Sequence, residues 1–206
     1  MRCNSIVGLT ALVMLAAVTA GGARSEDKAP TDAYAKRMFA EKYAATGKSY
    51  ACFARRYDAA HLAKHPRQKV QRMRLLVSAE LVAEDNALNY AFALGVKLRD
   101  QKGAFSSSGD CGHPTASQES SDKLQLGCGA DCDGGGLSVE LIESDKAALV
   151  RVDSIRISPD SAKDEDHVSA LDGADDKVFR LERVKLDECK PLMNDDDKDS
   201  DKAATM

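Results

Sequence analysis

Two stretches of the chain alternate apolar and intervening residues at a spacing of two. Met73, Leu75, Val77, Ala79 and Leu81 are separated by Arg72, Arg74, Leu76, Ser78 and Glu80. After an interruption at residues 83–87, Leu88, Tyr90, Phe92, Leu94, Val96 and Leu98 are separated by Asn89, Ala91, Ala93, Gly95 and Lys97. Successive side chains of a strand point to opposite faces, so this spacing lines one face of a strand, whereas it would wrap around a helix. Ala, Leu and Glu are good helix formers, but six large apolar residues at period two outweigh that preference and predict two long strands in a hairpin.

The same rhythm recurs in shorter pieces: Leu124, Leu126, Cys128 and Ala130; Leu137, Val139 and Leu141; residues 149–157; residues 178–186; a short run at 104–108; and residues 49–57, which contain YACFARRY. Gly, Ser and Asp turns separate them. The expectation is a mainly β fold, a single antiparallel β-barrel or β-sandwich of about seven to eight strands, with a short N-terminal helix. That helix is read over residues 31–45, with Thr31 or Asp32 as N-cap, Gly47 beyond its end, and Tyr34, Met38 and Phe39 on one side.

The chain begins with one Arg, an apolar run at residues 6–18 and the small residues Val18-Thr19-Ala20. This is the layout of a secretory signal peptide, and the run is shorter than the ~20 residues of a bilayer span. The predicted organisation is a signal peptide at 1–20, a flexible lead at 21–30, one β-rich domain at 31–192 and an acidic disordered tail at 193–206. Within the domain, residues 159–176 read as an acidic loop insertion. The expected location is the periplasm or outside the cell, with no integral membrane span after signal removal.

Export bears on the cysteines, because oxidising compartments favour disulfides where the cytosol favours metal. Cys3 leaves with the signal, so Cys52, Cys111, Cys128, Cys132 and Cys189 remain as disulfide candidates. An odd number allows two bridges and one leftover thiol. The stretch LGCGADCDGGG at 126–136 admits three readings. Zinc would draw on Cys111, His113, Cys128 and Cys132, but neither local spacing is the usual knuckle. A phosphate cradle would need a Lys with Ser or Thr after the last glycine and a helix to follow, and Leu-Ser-Val-Glu-Leu, which reads as strand, follows instead. A stapled turn remains, with one bridge from Cys111 to Cys128 or Cys132, and another from Cys189 to Cys52 or to the unused member of that pair.

Charge is unevenly distributed. Residues 28–102 hold 15 Lys/Arg against 7 Asp/Glu, a net of +8, and residues 103–206 hold 12 against 24, a net of −12. Mutual neutralisation within the fold is the expected outcome, and nucleic acid is not an expected partner.

The second constellation is YDAAHLAKHPRQ at 57–68. If Asp58 caps a short helical turn, His61 and His65 stand one turn apart on the same face. The candidate ligand-binding residues are therefore Tyr57, His61, Lys64, His65 and Arg67. A zincin would carry Glu after the first His, where this chain has Leu62, and no Gly-x-Ser-x-Gly elbow occurs. The acidic run at 195–201 lacks the glycine and terminal glutamate of an EF-hand loop. No catalytic residue, metal or cofactor is expected. The function expected is that of an exported, disulfide-braced, non-catalytic binding protein for a small molecule or an envelope partner. The alternatives are a hydrolase or metal-dependent enzyme using His61 and His65, and an inhibitor of an exported hydrolase that uses residues 110–115 as a wedge.

Overall fold

In a computed structural model, the described residues are 29–39, 48–82, 87–113, 125–131, 134–160, 169–173 and 175–194. The proposed signal peptide, most of the lead, Cys132 and residues 195–206 lie outside them, as do residues 114 and 115 of the wedge loop.

Helix α1 (Ala29–Phe39) precedes β1 (Lys48–Arg56), α2 (Ala59–Lys64), β2 (Val70–Val82) and β3 (Ala87–Leu98). Then come β4 (Phe105–Gly112), β5 (Gln125–Ala130), β6 (Gly135–Ile142), β7 (Ala147–Pro159), β8 (Ser169–Leu171) and β9 (Val178–Val184), and a 3-10 helix over Leu186–Leu192. The nine strands of the described residues belong to one antiparallel sheet in the order β6-β5-β4-β3-β2-β1-β9-β7-β8, and the additional β6–β7 pairing closes it into a ring. Eight strands form the ring, so the molecule is a barrel. The hairpin read from the alternation is β2–β3, in register from Met73↔Val96 to Val82↔Ala87.

Inward positions carry the alternating apolar residues: Met73, Leu75, Val77, Leu94 and Phe92 are buried, and so are Phe53, Leu126, Val150, Phe179 and Leu181 from the other strands. This set fills the interior as one cluster, together with Tyr34, Met38 and Phe39 of α1. A barrel of about eight strands has a diameter that side chains can fill, and here the buried side chains of the described residues form one continuous cluster across it. Helix α1 starts at Ala29 rather than at Thr31, with Pro30 in the first turn, where its missing N–H costs nothing. It closes the end of the barrel where β1 begins. The Tyr34 hydroxyl donates to the Val139 carbonyl at 3.4 Å, and the rings of Tyr34, Tyr90 and His113 meet edge-on.

Cys111 is bonded to Cys128, its direct cross-strand partner, and Cys52 is bonded to Cys189. The second bridge anchors the 3-10 helix to the outer face of β1 and β2, where Cys52, Leu76, Cys189 and Met193 form a small separate cluster. Leu76 interrupts the alternation in sequence because it faces this outer cluster. Gly95 leaves room for Leu192, whose Cδ2 would lie 2.8 Å from an added Cβ. Met193, read as the first residue of an acidic tail, is buried there. Of the three glycines in the stapled turn, Gly135 takes φ +84, and an added Cβ would strike the Ser154 carbonyl oxygen at 1.5 Å. A bulge follows at Gly136/Leu137.

The stretch 159–176 also carries more structure than its acidity suggests. Ser169–Leu171 forms β8 along β7, and Asp176 is fully buried, accepting from the backbone N–H groups of Lys69 (2.8 Å) and Val70 (3.2 Å). The charged halves of the chain meet in ion pairs: Arg37 with Asp145, Arg55 with Glu182, Arg67 with Asp175, Lys69 with Asp172 and Arg72 with Glu188.

Candidate functional site

Strands β1 and β9 pair over only three positions, Cys52↔Val184, Phe53↔Arg183 and Ala54↔Glu182. Beyond Ala54 the two strands have other partners, since β1 continues with β2 and the start of β9 runs along β7. The seam between them opens into a cleft of about 290 Å³ lined by Arg55, Tyr57, His61, His65, Gln68, Asp175, Val178 and Arg180. Helix α2 sits over this opening. The Asp58 carboxylate accepts from the His61 N–H at 2.7 Å, which starts the helix, and buried Leu62 holds it to the barrel. Among the described residues Val178 is the one exposed large hydrophobic side chain, at 51% exposure, and it lines this cleft.

The rings form a column. Tyr57 and His61 lie 4.6 Å apart between centroids, and His61 and His65 lie 4.4 Å apart at 25°. The Arg55 guanidinium lies 5.6 Å from the Tyr57 centroid, within cation–π range. Gln68 fixes the protonation pattern of His61. Its amide nitrogen is 2.7 Å from the Val70 carbonyl oxygen, which can only accept. The Gln68 Oε1 therefore faces His61 Nε2, at 3.0 Å, and that nitrogen must carry a hydrogen. His61 is thus an Nε2–H donor with Nδ1 left to take up a proton. Burial raises the Tyr57 hydroxyl above its ordinary value, with nearby Arg55 acting against the shift and Asp176 adding to it. Arg180 bonds Glu143 through two nitrogens, at 2.9 and 2.6 Å, and also bonds Glu182, so it is held firmly in its charged form.

Three of the five candidate residues, Tyr57, His61 and His65, therefore meet in one cleft. Lys64 is exposed at the end of α2, and Arg67 is exposed on the following turn, where it pairs with Asp175 at 3.3 Å. Arg55, Gln68, Asp175, Val178 and Arg180 were not legible as site residues. The i, i+4 spacing on a capped turn revealed the histidines, whereas the other side of the cleft comes from β9, more than a hundred residues along the chain. Among the described residues, no group of three or more His, Cys, Asp or Glu is placed to hold a metal ion.

A wider groove of about 940 Å³ lies on the outer face of the barrel. The register aligns Tyr50, Ser78, Ala91 and Asp110 across β1 to β4, and Ser106 and Ser108 extend this floor of short side chains. Leu192 and Met193 contribute to its lining, as do Asp131, Arg156 and Asp160. The one sequence signal for it was the run of small residues at the outward positions of β3 and β4.

Fold and cleft together define a disulfide-braced, closed antiparallel β-barrel with a ring-lined seam that Arg55 and Arg180 enter. No family model, curated protein or solved structure matches the chain.

Proposed function

We propose that the protein is an exported binding protein that holds a small molecule in the β1–β9 cleft and turns nothing over. The observation that carries this reading is the cleft itself. A column of three rings, two arginines and one exposed valine converge in a concave space, and polar groups that converge beside ring surface are a feature of small-molecule sites. Catalysis by His61 would require a nucleophile or a third ligand beside it, and its Nε2–H instead donates to an amide that is itself fixed. Two disulfides fit an oxidising compartment, and among the described residues no helix is long and apolar enough to cross a membrane. The wider outer groove of about 940 Å³, lined by the short side chains of Ser78, Ala91, Ser106 and Ser108, supports a protein partner as a second arm of the same reading.

The test is a native mass-spectrometric screen of the full chain against a library of small anions, cations and neutral aromatics. The expected result is a saturable binder whose signal disappears in Val178→Trp, which fills the cleft mouth. A library without binders, or binders indifferent to Val178→Trp, overturns the reading. The intact mass of the same sample also tests export, because a chain cleaved near residue 20 is expected.

A further inference from the structure

We infer that the cleft takes a planar anion, and takes it together with a proton. This inference rests on the reading of the cleft as a ligand site.

The fixed charges around the ring column can be counted by element. Strand β1 supplies Arg55, α2 supplies Lys64 and its capping Asp58, and the turn after α2 supplies Arg67. The segment before β9 supplies Asp175 and buried Asp176, β9 supplies Arg180 and Glu182, and the β6–β7 turn supplies Glu143. Arg99, just past the end of β3, reaches the Leu62 carbonyl of α2 at 3.5 Å and brings the count to five cations against five carboxylates. With both imidazoles neutral the neighbourhood is balanced, which gives an anion no reason to stay. With one protonated it carries +1, so the sign of the site turns on His61 and His65. Histidine is the side chain whose charge changes between about pH 5 and 8.

The geometry couples the two events. Gln68 already holds His61 Nε2–H, so the added proton goes to Nδ1 and creates a second donor on the same ring. The rings of His61 and His65 are stacked 4.4 Å apart, so charging both is opposed by mutual repulsion. A bound anion offsets that repulsion. By linkage, an anion that promotes protonation must itself bind more tightly as protons are supplied. The exposed end of the column is a flat imidazole face, and Val178 adds apolar surface in the same cleft, so a ring bearing the negative charge fits better than a bare ion.

Benzenesulfonate is a suitable probe, because its own charge does not change over this range. Calorimetric titration of the full chain at about pH 7.5 and about pH 5.5 is expected to show affinity rising several-fold on acidification, up to the roughly hundredfold that one linked proton allows over two pH units. Repeating the titration in buffers of different ionisation enthalpy is expected to show proton uptake on binding. Benzenesulfonamide, the uncharged counterpart, should show no such rise, and inorganic sulfate should bind more weakly than benzenesulfonate. His65→Gln should flatten the pH profile without unfolding the exposed turn. Benzenesulfonate binding that is lost in Val178→Trp yet unchanged by pH would overturn the proton coupling and leave the ligand site standing. Tighter binding of benzenesulfonamide than of benzenesulfonate at about pH 5.5 would overturn the anion assignment, and the wider library would still decide whether the cleft binds at all.

Discussion

Where β1 begins, the barrel is closed by rings and methyl groups: Tyr34, Met38 and Phe39 of α1 sink into the interior beside Tyr90. Where β1 stops, it is closed by a carboxylate and an amide, with Asp176 tying the segment before β9 to the start of β2 and Gln68 bracing His61. Even the polar groups at the first end are consumed internally. Arg183 donates to the carbonyls of Asp145, Met38 and Arg37 and lies 4.7 Å from the Phe53 ring centroid. Its burial lowers its proton affinity, while Arg37 is held charged by its two-pronged bond to Asp145. The difference shows that a barrel end can be sealed in two ways, and only the polar seal leaves hydrogen-bonding groups facing a concavity. The two tyrosines reflect it: burial drives the hydroxyl of Tyr34 far above its ordinary range, and burial raises the less enclosed hydroxyl of Tyr57 too, with arginines acting against the rise at both.

Removing the apolar seal should have the largest effect. Tyr34→Ala deletes a fully buried ring and is expected to cost about 3–5 kcal/mol in urea unfolding. A loss under about 1 kcal/mol would show that α1 is not part of the core. The polar seal should be weaker. Asp176→Asn keeps the volume but weakens two backbone hydrogen bonds to a charge, for an expected loss of about 1.5–3 kcal/mol and faster hydrogen exchange at the Lys69 and Val70 amides.

Alkali should separate the two ends further. Above pH 10.0, the ordinary value, Tyr34 keeps its proton in the folded protein while the unfolded chain loses it. The folded state then binds more protons, so its stability falls with rising pH, by about 1.4 kcal/mol per pH unit for one such group. Below that value the two states bind equally and the contribution is constant. Tyr34→Phe should flatten the alkaline slope, and an unchanged slope would place the titrating group elsewhere. The smallest effect is expected for His65→Ala, within about 0.5 kcal/mol, because the ring is exposed and belongs to the cleft rather than the seal.

Much of the barrel was legible because burial imposes its own period. Residues 72–98 alternate since one face of each strand meets the packed interior, and Leu76 breaks the pattern only where an outer element covers it. Strand β8 was hidden because three residues are too few to show a period and lie in an acidic stretch. The cleft was half legible. Helical spacing exposes His61 and His65, but nothing local to Val178 or Arg180 announces that ring closure will bring them opposite Tyr57.

The ring is completed by joining β1 to β9, and the same two regions are tied by the bridge from Cys52 to Cys189 in a chain of 206 residues. During synthesis β1 therefore has to wait until β9 (Val178–Val184) has been made before its second neighbour exists. Until then β1 and β7, the strands that will flank β9, present bare edges, the kind of edge that pairs with a stranger's strand. A nascent chain of this design is most open to such pairing in the interval between the making of β7 and that of β9.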